Sequence, residues 1–376
     1  MKKILIFIGG YLPGHKYGGP LTTVKNLTEA LGDEYQFFIV CPDRDLGEEK
    51  PYSDIVYNEW NTVGKAKVWY IKPNGFTFKM IRQTAEEFDL IYSCGFYDDY
   101  AYKTLILNKF GKLHGKPVVI ASMGVFSKGA LAQKALKKKV FITVCKVLGL
   151  FKKIKWSVTS ELEASDVRNI IGNKAECIIA EDMPRTDVPG IAAEKKYNGT
   201  LKIAFLSRIS PKKNLLGAIK SLAEIKKEIF FTIYGPKEDK DYWAVCEKEL
   251  KKLPDNIHWN YSGDLPSQSV QEALQNNDVF LFPTLGENYG HVIFEALSVG
   301  CIPIISDQTP WNIIADKKAG YVIALTDDMK AFSDAINELC GLTGEQRRKM
   351  AENAVRIAKE KVEKSKKETG YRTIFG

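Results

Sequence analysis

LKIAFLSRISPKKNLLGAIK, residues 201–220, reads as three pieces in order: a strand, a basic turn and the start of a helix. Its first seven residues form a short apolar run that ends at a polar turn, as expected of a strand buried on both faces. The turn, Arg208-Ile-Ser-Pro-Lys212-Lys213-Asn214, puts a guanidinium and ammonium groups just beyond the strand end. In doubly wound sheets, ligands sit outside the carboxyl ends of the strands. Arginine supplies forked donors, lysine a point charge and the helix start backbone N–H groups, a combination suited to a diphosphate. Standing alone, the same stretch would also read as a basic surface turn.

Outward from this stretch the alternation repeats. FFTIYG (230–235), IHWNYSG (257–263), DVFLFP (278–283) and CIPIIS (301–306) read as further strands, with helical patterns between them. KILIFI (3–8), FFIVC (37–41), KVWYIK (67–72), LIYSC (90–94), PVVIAS (117–122) and WSVTS (156–160) do the same in the first half. Strands alternating with amphipathic stretches indicate parallel α/β units. Residues 181–200 are polar, carry two prolines and break the pattern, so they read as a linker. The expected architecture is two Rossmann-like domains facing each other across a cleft. The first spans 1–180, and the second, at 201–361, would carry the nucleotide-binding chemistry. A length of 376 residues suits two such cores. The tail from Thr343 reads as a long charged helix ending near Gly370.

Composition narrows the function classes. A hydrophobic fraction of 45% with 27% charged residues excludes a disordered chain. The seven cysteines are scattered without a CxxC pair, which argues against a disulfide framework and a zinc site. MKKILIFIGG breaks at Gly9-Gly10 too early for a signal peptide, and no stretch approaches the ~20 apolar residues of a membrane span. The expectation is a cytoplasmic protein, and Asn198-Gly-Thr then carries no weight as a glycosylation triplet. Much of the net charge of +8 sits in 128–155, where lysines occur without one acidic residue and with apolar residues at roughly helical spacing. Such a segment is a candidate for peripheral contact with an anionic membrane. The alternative is a helix with solvated lysines and its apolar face on the core. No recognition motif accompanies the charge, so nucleic acid is not expected.

Other strand-end loops add chemistry. Gly235-Pro236-Lys237-Glu238 and Tyr261-Ser262-Gly263-Asp264-Leu265 are tight turns that let a ligand approach the backbone. GENYGHVIFEAL (286–297) holds two carboxylates, Glu287 in the loop and Glu295 inside the following helix. An unpaired carboxylate among Phe294, Ala296 and Leu297 would be costly, so Glu295 needs a partner. A vicinal diol would serve, and so would a lysine at the core edge. The backbone of Asn288, Tyr289, Gly290 and His291 lies at a helix N-terminus, which favours phosphate or hydroxyl oxygens. Gly18-Gly19 precedes Pro20 at the start of another helix.

Taken together and in order, these motifs resemble the retaining, GT-B-fold nucleotide-sugar glycosyltransferases of family 4, the group 1 glycosyltransferases. The resemblance is carried by Glu287-Asn-Tyr-Gly-His-Val-Ile-Phe-Glu295, by Arg208 and Lys213 in SRISPKKN, by YGPKED and by GGYLPGHKYGGP. PTLGENYGHVIFEAL with IISDQTPW looks like bacterial enzymes of surface-polysaccharide assembly. The resemblance implies that Arg208 and Lys213 neutralise the donor diphosphate, that Glu287 contacts the transferred sugar, and that Glu295 holds the ribose. Gly18, Gly19, Gly235, Gly263, Leu265 and the backbone of Asn288–His291 would complete the donor site.

It further implies a UDP-sugar in preference to a GDP-sugar, a glycan or lipid-linked acceptor, retained configuration, no metal, and a tail (362–376) packed back on the first domain. Where many relatives carry histidine or arginine near the reacting sugar, this chain has Met123, with Ser122, Lys128 and His291 as candidate substitutes. A catalytically silent binding subunit and a nucleotide-sugar epimerase are the alternatives.

Overall fold

The computed structural model describes residues 1–376 except Gln133 and Asn198, with Lys128 and Ala132 described by backbone alone. The Lys128 side chain and the Asn198-Gly-Thr triplet therefore lie outside the described residues. The chain forms two compact units, Met1–Thr186 with Ser365–Gly376, and Asp187–Lys364.

The first unit holds β1 (Lys3–Phe7), β2 (Gln36–Pro42), β3 (Asn61–Val63), β4 (Ala66–Ile71), β5 (Leu90–Cys94), β6 (Val118–Ala121), β7 (Ile154–Val158) and β8 (Glu176–Ile179). They form one sheet in the order β3-β4-β2-β1-β5-β6-β7-β8. All neighbours pair parallel except β3, which turns back antiparallel on β4. Successive residues of β1 feed opposite faces. Leu5 and Phe7 join one core with Tyr100, Phe126 and Trp156, while Ile4 and Ile6 join another with Leu27, Phe37 and Tyr92. Helices cover both faces, which is why β1 and β5 are near-continuous apolar runs.

The second unit holds β9 (Leu201–Leu206), β10 (Ile229–Tyr234), β11 (Ile257–Gly263), β12 (Val279–Phe282), β13 (Ile302–Ser306) and β14 (Tyr321–Ile323). Its sheet runs β11-β10-β9-β12-β13-β14, entirely parallel. β12 and β13 are wholly buried, whereas edge strand β11 is buried only at Ile257 and then alternates exposed and half-buried residues. Both units show the Rossmann-like pattern expected from the alternation.

Local chemistry sets the helix ends. The helix expected from Pro20 begins one residue earlier, at Gly19, with Gly18 at φ +71 as its cap. The pattern read over 101–114 forms the Asp99–Lys109 helix and then turns. In the Gly344–Glu368 helix, Ala351, Ala354, Ile357 and Ala358 face the second core. The short Tyr371–Phe375 helix belongs to the first unit. There Tyr371 and Phe375 pack among Tyr35, Phe37 and Tyr92, and Arg372 pairs with Glu34 at 2.7 Å.

Candidate functional site

In the second sheet the connection reverses direction between β9 and β12, the switch point where doubly wound folds bind ligands. The β9–β12 ladder stops at Ala204↔Phe280, two residues before either strand ends. The loops that follow these two strands meet there. After β9, Pro211–Lys213 makes a 3-10 turn and Asn214 adopts the left-handed conformation at φ +57. The Asn214 side chain does two jobs. Its Oδ1 accepts from Gly217 N at 3.1 Å, capping the Leu215–Leu222 helix, and its Nδ2 donates to Pro283 O at 2.9 Å, tying that helix to the loop after β12. Main-chain and hydroxyl bonds from Leu285 N and Thr284 Oγ1 to Lys212 O, at 2.9 and 3.2 Å, close the same seam.

Lys213 and Glu287 face each other across this seam. Lys213 Nζ donates to Glu287 Oε1 at 2.5 Å, and the two side chains are only 14% and 13% exposed. Thr284 Oγ1 stands 3.1 Å from the same carboxylate oxygen, and Glu287 N donates to Gln308 O at 3.0 Å. Lys213 also lies 5.6 Å from the centre of the Phe282 ring. Lys212 is held below the usual lysine value, by desolvation first. Repulsion from Lys213 and Arg208 adds to that lowering, and attraction to Glu287 opposes it. Lys212, Lys213, Arg208 and the Glu287 carboxylate therefore share one electrostatic neighbourhood.

Arg208 reaches this neighbourhood from β9 and donates through Nη1 to Glu238 Oε1 at 2.6 Å, both side chains being about half exposed. Glu238 sits in the loop after β10. That loop is stitched to the one after β9 by Ile209 N to Pro236 O at 2.9 Å and Asp239 N to Ile209 O at 3.1 Å. Gly235 is required here: its φ is +122, and a Cβ would fall 1.9 Å from Ser207 O. Gly235 N donates to Gly263 O at 2.7 Å, which brings the β10 and β11 loops together. Leu265 packs half-buried on the unit's core. Lys237 lies over Trp243 and Tyr261, 4.0 and 4.2 Å from the ring centres.

The loop after β12 continues into the His291–Ser298 helix, with Gly290 left-handed at φ +81 as its cap. Tyr289 is buried, and its carbonyl accepts from Trp311 Nε1 at 2.5 Å. Its ring lies 4.8 Å from His291 and 5.5 Å from Trp311. Glu295 is 7% exposed, more than a turn inside the helix. Gly300 at φ +68 ends that helix: its N–H donates to Leu297 O at 3.2 Å, and Cys301 N donates to Ala296 O at 3.0 Å, a Schellman cap.

Arg208, Lys213 and Glu287 thus share one patch at the switch point. Gly235, Gly263 and Leu265 flank it beyond β10 and β11, and Asn288–His291 and Glu295 follow β12. Asn214, Thr284, Lys212 and Glu238 shape the patch as well. Their roles depend on contacts between distant loops, and only the lysine run and the asparagine before a helix were signals in the sequence.

Gly18 and Gly19 belong to the first unit, which has its own switch point between β1 and β5. The Tyr17 ring lies against Gly9, where a Cβ would sit 2.6 Å from the Tyr17 hydroxyl. Nothing lies within 4 Å of a Cβ built on Gly19. Tyr17 Oη is 3.5 Å from Tyr100 Oη, and the Tyr100 hydroxyl donates to Cys94 O. Asp98 stands at the cap of the Asp99–Lys109 helix but makes no capping bond. Its carboxyl is instead pressed against Gly95 and raised above the usual value, by burial first, with Asp99 adding and Tyr100 opposing. Met123 is left-handed at φ +49, in a loop held by Glu163. That carboxylate, 6% exposed, accepts from Ser122 Oγ, Gly124 N, Thr159 N and Thr159 Oγ1 at 2.6–2.8 Å. Ser122 is spent on this bond.

Residues 191–356 match the family model for glycosyl transferases group 1. The group 1 domain lies inside the second unit and includes every candidate residue from Arg208 to Glu295. Among sequence relatives, a GDP-mannose:cellobiosyl-diphosphopolyprenol alpha-mannosyltransferase of Xanthomonas oryzae is 26% identical over 249 residues, 64% of this chain and 62% of that protein. The matched stretch thus spans less than two thirds of the relative's length. Among solved structures, sucrose-phosphate synthase of Thermosynechococcus elongatus superposes with a TM-score of 0.73 at 14% identity, covering 100% of this chain and 99% of that one. HepE of Anabaena in complex with UDP-glucose gives 0.71 at 15% identity, covering 100% and 99%. At such identity these likenesses establish the fold, GT-B, over both units.

Proposed function

We propose that this protein transfers a sugar from a nucleoside diphosphate donor to a glycan or lipid-linked acceptor in surface-polysaccharide assembly, with retained configuration. The observation that supports it best is the cation–carboxylate patch at the β9–β12 switch point, with Arg208, Lys213 and Glu287 drawn together by two strand-end loops. Arg208 and Lys213 bind the diphosphate and offset the negative charge that grows on it as the sugar departs. Each is held by a carboxylate of its own, Glu238 and Glu287, so donor phosphates exchange for or join these partners. Glu287 then contacts the transferred sugar, while Glu295 takes the ribose diol from inside its helix. The backbone of Asn288–His291 supplies donors to sugar and phosphate oxygens. In this reading the two side chains carry the electrostatic work, and turnover persists in a chelator.

UDP-sugars remain the expected donors. The mannosyltransferase relative, named for GDP-mannose, favours the second choice. Protection from thermal unfolding by a panel of nucleotide sugars reads out the base and the sugar together, since bound donor stabilises the native state by mass action. NMR of the product then gives the anomeric configuration. Met123 favours a second reading, a silent binding module. Protection by a donor with neither transfer nor release of sugar supports that module. Protection by no nucleotide sugar overturns both readings.

A further inference from the structure

The Ala135–Val147 helix carries its apolar residues on both sides. Ile142 and Cys145, 8% and 2% exposed, face the core. Leu136, Val140, Val144 and Val147 do not: they are 76%, 55%, 49% and 81% exposed. At about 100° per residue these four fall in an arc of about 80° whose centre lies about 170° from the buried pair. Lys137 flanks the arc on one side, and Lys139 and Lys146 on the other. Leu148, 54% exposed, continues it past the helix end. Phe110, 69% exposed, belongs to the adjoining turn, where Asn108 Nδ2 donates to Lys152 O at 3.2 Å.

An outward row of branched aliphatic residues is costly in water and marks a contact surface. The charges decide which contact. Lys134, Lys137, Lys139, Lys146, Lys152 and Lys153 are exposed, and 128–155 contains no acidic residue. Among the described residues none of these six lysines forms an ion pair. Lys138 turns inward instead, donating to Ala130 O at 2.6 Å and lying over Tyr97, and Lys155 pairs with Glu176 at 3.4 Å. A second copy of this chain docked through the same face would set lysine against lysine. A purely polar polyanion would neutralise the lysines and leave the valines in water. A bilayer with anionic headgroups satisfies both, taking the aliphatic row below the headgroups and the lysines among them.

We propose that the outward face of the Ala135–Val147 helix docks this protein on anionic lipid, with Leu136, Val140, Val144 and Val147 inserted and Lys137, Lys139 and Lys146 at the headgroups. No helix among the described residues is long and apolar enough to cross a membrane, so this would be contact with one leaflet. The proposal stands apart from the chemistry assigned to the second unit.

The test is co-sedimentation of the full chain with vesicles of phosphatidylcholine, alone or containing phosphatidylglycerol, at low and high salt. Binding is expected only with phosphatidylglycerol, and it weakens at high salt. Lys137→Gln with Lys139→Gln and Lys146→Gln should reduce partitioning about 100-fold, at roughly fivefold per lysine. Leu136→Gln with Val140→Gln and Val144→Gln should abolish partitioning, leave the melting temperature in place, and preserve protection by whichever nucleotide sugar protects the wild type. Equal binding to both vesicle types, no binding to either, or unchanged partitioning of both triple variants would overturn the proposal. So would a lipid-free change in oligomeric state in the aliphatic variant, which would assign the row to self-association.

Discussion

Replacing Lys213 with alanine separates what the ion pair does for the fold from what it does for a donor. Lys213 Nζ and Glu287 Oε1 are 2.5 Å apart, and both side chains are largely shielded. Breaking a buried pair on one side costs about 3–5 kcal/mol, because the remaining charge is left uncompensated. Here some solvent reaches Glu287, and Thr284 Oγ1 at 3.1 Å still serves it, so the expected loss is about 2 kcal/mol. A charged hydrogen bond to phosphate contributes about 1.5–3 kcal/mol, so nucleotide affinity should fall roughly 10- to 100-fold. Lys213→Ala with Glu287→Ala removes the stranded carboxylate. Stability should then return to within about 1 kcal/mol of wild type, while affinity for the diphosphate stays low. Urea midpoints and titration calorimetry with UDP on the two single variants and the double complete the cycle. A double variant as unstable as Lys213→Ala would refute the pair as the source of the cost. A double variant that recovers nucleotide binding would show that Lys213 serves the fold and not the phosphate.

Three further outcomes follow from the geometry. Gly235→Ala meets both a positive φ and Ser207 O, and should cost on the order of 3 kcal/mol, read as a lower urea midpoint at unchanged slope. Asp98 titrates above its ordinary value in the folded protein, so its contribution to stability is complete below the unfolded value near ~3.9 and is lost as pH rises through the folded one. Asp98→Asn should therefore raise the melting temperature near neutral pH and leave it unchanged in strong acid, and an equal gain at every pH would contradict the burial argument. Phe375→Ala opens a hole among Tyr35, Phe37 and Tyr92 and should cost about 3–5 kcal/mol, measured by denaturant unfolding, if the tail completes the first unit's core.

The central strands were legible because a parallel sheet buried on both faces needs near-continuous apolar runs, and LIYSC and VFLF have them. β3, β8 and β14 were not read from the sequence. NTV, ECII and YVI are three- and four-residue edge strands that are half exposed, so they carry no such run. The loops that close the site were legible in kind, as basic and acidic turns at strand ends. Which group meets which was hidden. Asn214 reaching Pro283, and Glu238 taking Arg208, depend on strands that become neighbours only through the sheet order. Glu163 was also missed as the organiser of the Met123 loop. Its signal was the Ser160–Glu163 spacing of a helix cap, which gives no hint that the carboxylate crosses to Ser122 and Gly124. Likewise, periodicity in 135–147 announces an amphipathic helix without saying that part of its apolar set points outward.

Calorimetric titration of UDP and GDP into the wild type and into Arg208→Ala with Lys213→Ala tests the central claim most directly. Saturable binding of one nucleotide by the wild type, lost in the double variant while its folding transition remains cooperative, is the predicted result. Nucleotide binding of equal strength in both proteins, or none in the wild type, would contradict the assignment of the switch-point cations to a diphosphate.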